Sequence, residues 1–314
     1  MSASPPKLSR RLGFFQGLGF ALTLVVGSGI LGLPGMSIAK FGPVVPLGAW
    51  LWTIFSMVPL IYVFVALGNR YPESDGILRY AEIVFGPRGR AIGTLFLFGT
   101  ILLGVPFVGY VCAEYLKGLP GLRHLPVGLT AILIFWLVTW INLRGVKLSG
   151  WINHASMAVI AALVLAITLG HFPYFVEGIR LLPQVADVSF SDLSCCSLLL
   201  LWAFIGWEEL SFGLEEFKEE PKLIFRVYWG SYFLVALVYF GLALTASGAA
   251  AQGEAVSGTG GLWALIPPQA MFAVTAGVFL IALANTNSNV FVYSRMAFAA
   301  ARAGILPRQL QALS

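Results

Sequence analysis

Gly27-Ser28-Gly29-Ile30-Leu31 sits inside an apolar run from about Phe14 to Ile38, and the reading of this stretch decides the fold. Hydrocarbon offers the backbone no water, so every N–H and C=O of a spanning segment needs a partner within the protein. Each glycine weakens a helix by about 1 kcal/mol relative to alanine, so two of them flanking a serine favour an opening at mid-depth. An opened helix frees backbone amides at the N-terminus of its second half, where the helix dipole favours an anion. Gly29, with no Cβ, lets the main chain approach a ligand closely. The stretch points to a carboxylate site in the middle of a membrane. The competing reading is that its small residues only let a neighbouring helix pack close, and the motif alone leaves both open.

Composition supplies the membrane. The chain is 58% hydrophobic and 11% charged, with a mean hydropathy of +0.86, where a soluble domain carries roughly a quarter charged residues. Nine Trp and ten Tyr suit two aromatic interface belts. Cys112, Cys195 and Cys196 have neither the number nor the spacing of a disulfide framework or a zinc site. The first apolar run is too long for a cleavable signal peptide and leads straight into further apolar segments. Eight candidate spans follow, at about 14–38, 43–67, 91–116, 127–143, 151–172, 193–214, 228–248 and 270–298, each near the roughly 20 residues a bilayer requires. If the N-terminus is cytoplasmic, only Lys40, Lys117, Arg123 and Arg180 of the 19 Lys and Arg fall in outer segments. That bias obeys the positive-inside rule and puts both chain ends inside. The net charge of +5 is thus a topology signal and not a nucleic-acid footprint. Between the second and third spans, Ile77, Leu78, Ala81, Val84 and Phe85 share one face of a short interfacial helix.

A second disturbance lies in the sixth span, where Gly206, Glu208 and Glu209 interrupt an apolar segment. An Asp at a helix centre costs about 2.5–3.5 kcal/mol on insertion scales, and Glu is comparably unwelcome, so such carboxylates face a cavity, pair inside the bundle or snorkel out. Glu208 and Glu209 point about 100° apart, so at most one faces a central cavity. Gly-interrupted spans in corresponding positions of two halves are the pointer to an inverted-repeat transporter. With the first and sixth spans disturbed, the repeat has five helices: residues 1–172 form the first copy, and 193–314 the first three helices of an inverted, incomplete second.

Five ordered motifs then carry a family resemblance. Gly27-Ser28-Gly29-Ile30 followed by Pro34 resembles the first-span signature of the amino acid–polyamine–organocation superfamily of permeases. Tyr71-Pro72-Glu73-Ser74-Asp75-Gly76 resembles the loop after the second span, although Asp75 stands where Gly is usual. Asn142-Leu143-Arg144-Gly145-Val146-Lys147 is similar to the loop after the fourth. Phe204-Ile205-Gly206-Trp207-Glu208, with Glu215 to Pro221, resembles the sixth span and its exit. Arg295, Arg302, Gly304, Leu306 and Pro307 resemble the end of the eighth. The Trp202-x-Phe204-Ile205-Gly206 pattern is most like bacterial exporters of neutral amino acids.

The resemblance implies an all-α integral membrane protein with a leucine-transporter-like five-plus-five inverted repeat, here eight spans with broken first and sixth helices. It implies that the substrate carboxylate sits on Ser28 and Gly29, with Gly27 opening the turn and Ile30 next in line. The substrate ammonium is expected on carbonyls of Val25 and Ile205 at the two breaks, beside Gly206, with Trp202 covering the side chain. Glu208 matches an acid linked to conformational change or proton coupling. Some relatives carry a fifth-span Lys that stands in for sodium; Trp151 to Phe172 has none. The family has ten to twelve spans, so a longer chain is expected.

Two further features come from the residues themselves. Asn285, Asn289 and Tyr293 recur at four-residue spacing on one face of the eighth span, either binding neighbouring helices or lining a cavity with oxygens near the first break. Pro106 and Gly109 make the third span irregular, and Tyr110 is placed beside the cavity. No Ser/His/Asp order, Walker loop or metal-spaced His cluster is present, which argues against an enzyme. The expectation is a secondary amino acid carrier of the plasma (inner) membrane, working by alternating access on neutral or hydrophobic substrates as exporter, exchanger or proton-coupled permease. Its partners are the small-molecule amino acid and the lipid bilayer, with no nucleic acid and no cofactor. H+ is the favoured coupling ion over Na+. A cationic amino acid or polyamine exchanger is the alternative within carriers; a channel or a binding-only receptor is the alternative outside them.

Overall fold

The computed structural model describes residues 10–27, 29–116, 121–122, 124–143, 146–256, 258, 261–302 and 304–311. Among them the fold is helical, with one isolated bridge between Leu12 and Phe217. The first apolar run is two helices, α1 (Phe14–Val25) and α2 (Gly29–Phe41), separated where Val26 turns to φ −84°, ψ 91°. Next come α3 (Val45–Arg70) and the long α4 (Gly76–Leu116), which kinks at Gly86 with φ 69°. α5 (Val127–Leu143) has the bounds expected for the fourth span, and α6 (Val146–Gly170) covers the fifth. After α7 (Phe172–Leu181) and a 3-10 turn, the sixth apolar run is α8 (Phe190–Leu200), a 3-10 turn Leu201–Phe204, the single turn α9 (Trp207–Leu210) and a 3-10 turn Ser211–Glu216. The long helices α10 (Leu223–Ala251) and α11 (Met271–Arg302) follow.

Among the described residues, four stretches are long and apolar enough to cross a membrane: Val45–Arg70, Phe190–Glu216, Leu223–Ala251 and Pro268–Arg302. A fifth is added if Ala155–Gly170 and Phe172–Asp187, bent by 79°, form one broken span. α1 and α2 fall short individually because the break divides them into 12 and 13 residues.

Residues 173–190, between the fifth and sixth candidate spans, are largely helical. α7 lies on α10 through two glycines: a Cβ at Gly178 would collide with the Leu244 backbone, and one at Gly248 with the Tyr174 carbonyl. Small residues that let backbones touch are the usual device for helix contact in membranes, and a ten-residue helix is too short to register as a span. The segment expected at the interface is packed on one side and open on the other. Leu78 and Tyr80 are buried, while Ile83, Val84 and Phe85 are exposed. Its start is anchored where Gly76 (φ 50°) approaches Ser211 and the Ile77 N–H donates to Ser211 Oγ at 2.9 Å.

α10 is the spine behind both disturbed spans. Its tyrosines 228, 232 and 239 are buried, and a buried phenol needs an acceptor. Tyr228 donates to the Trp207 carbonyl (3.4 Å), Tyr232 to Ile54 (2.7 Å) and Tyr239 to Val25 (3.3 Å). The Tyr239 ring stacks on Trp50 at 5.2 Å and meets Phe204 edge-on at 5.7 Å. This places the residues just before each break against one aromatic cluster.

A candidate substrate site between two broken helices

The second break is at Ile205 and Gly206. Ile205 is extended (φ −76°, ψ 142°), and Gly206 has φ 121°, a conformation L side chains rarely adopt. Its missing side chain matters doubly, because a Cβ there would lie 2.9 Å from the Leu24 carbonyl oxygen and 3.3 Å from Val25 Cα. The two breaks are therefore in backbone contact. The α2 side touches the same place: a Cβ on Gly29 would come 3.5 Å from Trp202 Cδ1, at the other edge of the sixth-span break.

Unwound backbone inside a membrane must find new partners. At the first break α11 supplies them. The Asn285 side-chain amide donates to the Thr23 carbonyl at 2.8 Å and to the Leu24 carbonyl at 3.0 Å. Gly27 makes room for it, since a Cβ there would stand 3.0 Å from Asn285 Oδ1. Asn289 steadies the amide from one turn on, donating to the Asn285 carbonyl (2.9 Å) and to Oδ1 (3.2 Å). Thr23 Oγ1 and Ser288 Oγ are 2.9 Å apart. At the second break the chain satisfies itself: the Gly206 N–H donates to Glu208 Oε2 at 3.1 Å. Glu209, on the next side of the same turn, is buried and accepts the Tyr293 hydroxyl at 3.1 Å through Oε1.

The expected site residues divide accordingly. Val25, Gly27, Gly29, Trp202, Ile205, Gly206 and Asn285 converge on the breaks, with Asn289 and Glu208 adjoining. Trp202 and Ile205 are 43% and 42% exposed, at the rim of the sixth-span break. Ile30 is buried with its side chain in the core, and its N–H donates to the Gly27 carbonyl at 3.4 Å. The Val25 carbonyl, expected to meet an ammonium, accepts from Tyr239 and from the Gly27 N–H at 3.1 Å. Ser28 lies outside the described residues, as does the Tyr110 side chain. Sequence reading missed Tyr239 and the pairing of Glu209 with Tyr293. A lone tyrosine in an apolar span was the available signal for the first, because it demands an acceptor.

The other end of these helices is pinned by polar contacts. The N–H groups of Arg11 and Leu12 donate to the Glu216 carbonyl (2.8 and 2.9 Å), and Lys218 N–H returns to Leu12 (3.0 Å). Arg295 of α11 binds the Glu216 carboxylate at 2.9 Å, and the Glu215 carboxylate accepts from Ser74 N–H at 3.2 Å. Asp75, the departure from the family loop, pairs with Arg90 at 2.6 Å, and Arg90 also holds Glu82 at 2.8 Å. The Arg90 hydrogen bond, helped by Arg79 and opposed by burial, holds the Glu82 carboxyl below the usual carboxylate range.

The chain is similar in sequence to known carriers. The sequence profile of the amino acid permease family matches residues 12–314. An uncharacterized amino acid permease of Bacillus subtilis is 26% identical over 96% of this chain and 71% of its own length. The L-methionine/branched-chain amino acid exporter of Escherichia coli is 26% identical over 81% of this chain, and the cadaverine/lysine antiporter of the same organism 24% over 69%. The chain spans only 60% and 49% of these two relatives. A structure of a substrate-bound, outward-open Na+-coupled sialic acid symporter superposes with a TM-score of 0.64 over 92% of this chain at 15% identity, a likeness of fold alone.

Proposed function

We propose that this chain, which belongs to the amino acid permease family, forms the substrate-binding part of a secondary transporter that carries amino acids across a membrane by alternating access. Family membership and the apolar helices make it a multi-pass membrane protein and a transporter, not an enzyme. The observation that carries the reading is the backbone contact of Gly206 with Leu24 and Val25, which brings the two opened helices to one point. The α2 N-terminus there, without an acidic residue in its first turn, suits a carboxylate. Carbonyls of Val25 and Ile205 suit an ammonium, with the substrate sharing or displacing the Tyr239 hydrogen bond. Trp202 and Ile205 on the rim suit an apolar side chain, where each buried methylene contributes about 0.8 kcal/mol. A neutral aliphatic amino acid or methionine is the substrate we favour, in keeping with the exporter relative; the antiporter relative keeps a cationic one as the second reading.

In this reading eight spans make up one five-helix copy and three helices of its inverted partner, in the inner membrane with the N-terminus cytoplasmic. The polar-pinned end then faces the cytoplasm and the Trp202 rim faces outward. Full-length protein in liposomes tests the function. Labelled leucine should enter saturably and faster when unlabelled leucine waits on the far side. Linear entry without trans-stimulation indicates a channel, and competition by arginine but not leucine overturns the substrate choice. A Cys at Ser149 labelled from outside intact cells contradicts the orientation.

A further inference from the structure

The two acids of the sixth-span break are not equivalent. The Glu208 carboxylate caps the Gly206 N–H across the break. Glu209 is 7% exposed, and only one of its two oxygens is used. Oε1 accepts the Tyr293 hydroxyl of α11, while Oε2 is buried without a hydrogen-bond partner among the described residues.

The surroundings offer Glu209 no cation among the described residues. α1 carries no titratable side chain between Phe14 and Val25. From α4, Arg90 is committed to Asp75 and Glu82, and Tyr80 interacts with Glu73 and Tyr228. From α3 the charged residue is Arg70, in the last turn against Tyr71. From α11, Arg295 is held by Glu216, leaving Tyr293 as the group that meets the acid. In the 3-10 turn that follows α9, Glu215 binds Ser74 and Glu216 binds Arg295. Glu208 itself adds a second negative charge one residue away.

A buried carboxylate with one donor, an idle oxygen and an acidic neighbour is better described as a carboxylic acid than as an ion. We infer that Glu209, clasped by Tyr293, is a proton-binding site of the carrier, and that Glu208 is a structural cap. The step is a simple protonation: one O–H bond forms on Oε2 with a proton from water on one side of the membrane, and breaks to return it to water on the other. The Tyr293 hydrogen bond joins α9 to α11, so any movement of one against the other changes what solvates the acid. Neutral Glu209 tolerates the closed pair; ionised Glu209 requires water and favours separation. This inference rests on the transporter reading for its role, but the site is measurable without transport.

The experiment is pH-difference infrared spectroscopy of the purified full-length protein in liposomes, with leucine counterflow run in parallel. The wild type and Glu208→Gln should show a protonated-carboxyl band that titrates, Glu209→Gln should lose it, and Tyr293→Phe should displace its midpoint. In flux, Glu209→Gln should lose accumulation driven by a pH gradient while retaining exchange. A band unchanged in Glu209→Gln overturns the assignment. Should that variant fail to fold, an undisplaced midpoint in Tyr293→Phe overturns it instead. A band that behaves as expected in a protein that does not move leucine leaves the proton site standing and refutes the substrate reading.

Discussion

The two helix breaks solve the same problem in opposite ways. The first borrows its donors: Asn285 of α11 and Tyr239 of α10 reach carbonyls of Thr23, Leu24 and Val25. The second is closed by its own chain, with Glu208 reaching back two residues to the Gly206 N–H. A break held by neighbours is coupled to their positions, so moving α11 or α10 necessarily changes its hydrogen bonding. The second is capped from within at Gly206, and its α9 turn is tied to α10 by Tyr228 and to α11 by Tyr293.

The largest effect is expected where the breaks touch. Gly206→Val forces a β-branched residue to φ 121° and drives its Cβ against the Leu24 carbonyl, a strain of about 1–3 kcal/mol before the clash is added. Thermal unfolding in detergent should show a severely destabilised protein. Asn285→Leu comes next. It strips both carbonyls of their donor at nearly constant volume, costing about 1–3 kcal/mol for each buried group left unsatisfied. The same scan reads it, and a midpoint equal to wild type would remove the claim that the first break depends on α11. Glu208→Gln should change stability little, because the amide oxygen still accepts from Gly206, whereas Glu208→Ala should cost about 0.5–2 kcal/mol, as for other lost caps. Equal losses in both would mean that the charge, not the acceptor, closes the second break.

The smallest effect is expected at the polar-pinned end, at Glu82. Its carboxyl is depressed in the folded protein, so the stability it contributes is present above the unfolded carboxylate range and disappears as pH falls through the lower folded value. Glu82→Gln should flatten that acid limb by lowering neutral-pH stability slightly, with stability in acid unchanged. A large loss at neutral pH would shift weight from the breaks to the polar-pinned end.

Much of this architecture can be read from residue types. Glycines at 27 and 206 mark backbone that departs from a helix, with Gly29 opening the next one, and membrane physics makes any such departure local and consequential. The stripe Asn285, Asn289 and Tyr293 announces a polar face by spacing alone. What spacing cannot supply is the partner across space. That the Asn285 amide seeks carbonyls opened by the first break, and that Tyr293 chooses Glu209 over Glu208, depend on the rotation of α9 after the non-helical step at Ile205 and Gly206. A regular helix through that step assigns the two acids to the wrong faces. α7 escapes notice for another reason: its stability comes from backbone contact at Gly178 and Gly248, and glycine in a sequence looks the same in a turn as in a tight crossing.

The central claim is that the meeting point of the two breaks binds an amino acid through backbone at Gly29. Equilibrium binding of labelled leucine to the full-length protein, wild type against Gly29→Leu, tests it most directly. A Cβ there meets Leu33 at 3.0 Å and Trp202 at 3.5 Å, in the space the proposal gives to the substrate, while added apolar bulk leaves membrane insertion unharmed. The account predicts saturable binding by the wild type and none by a Gly29→Leu protein that still inserts and elutes as a single species. Undiminished affinity in that variant would contradict it and return the glycines to a packing role.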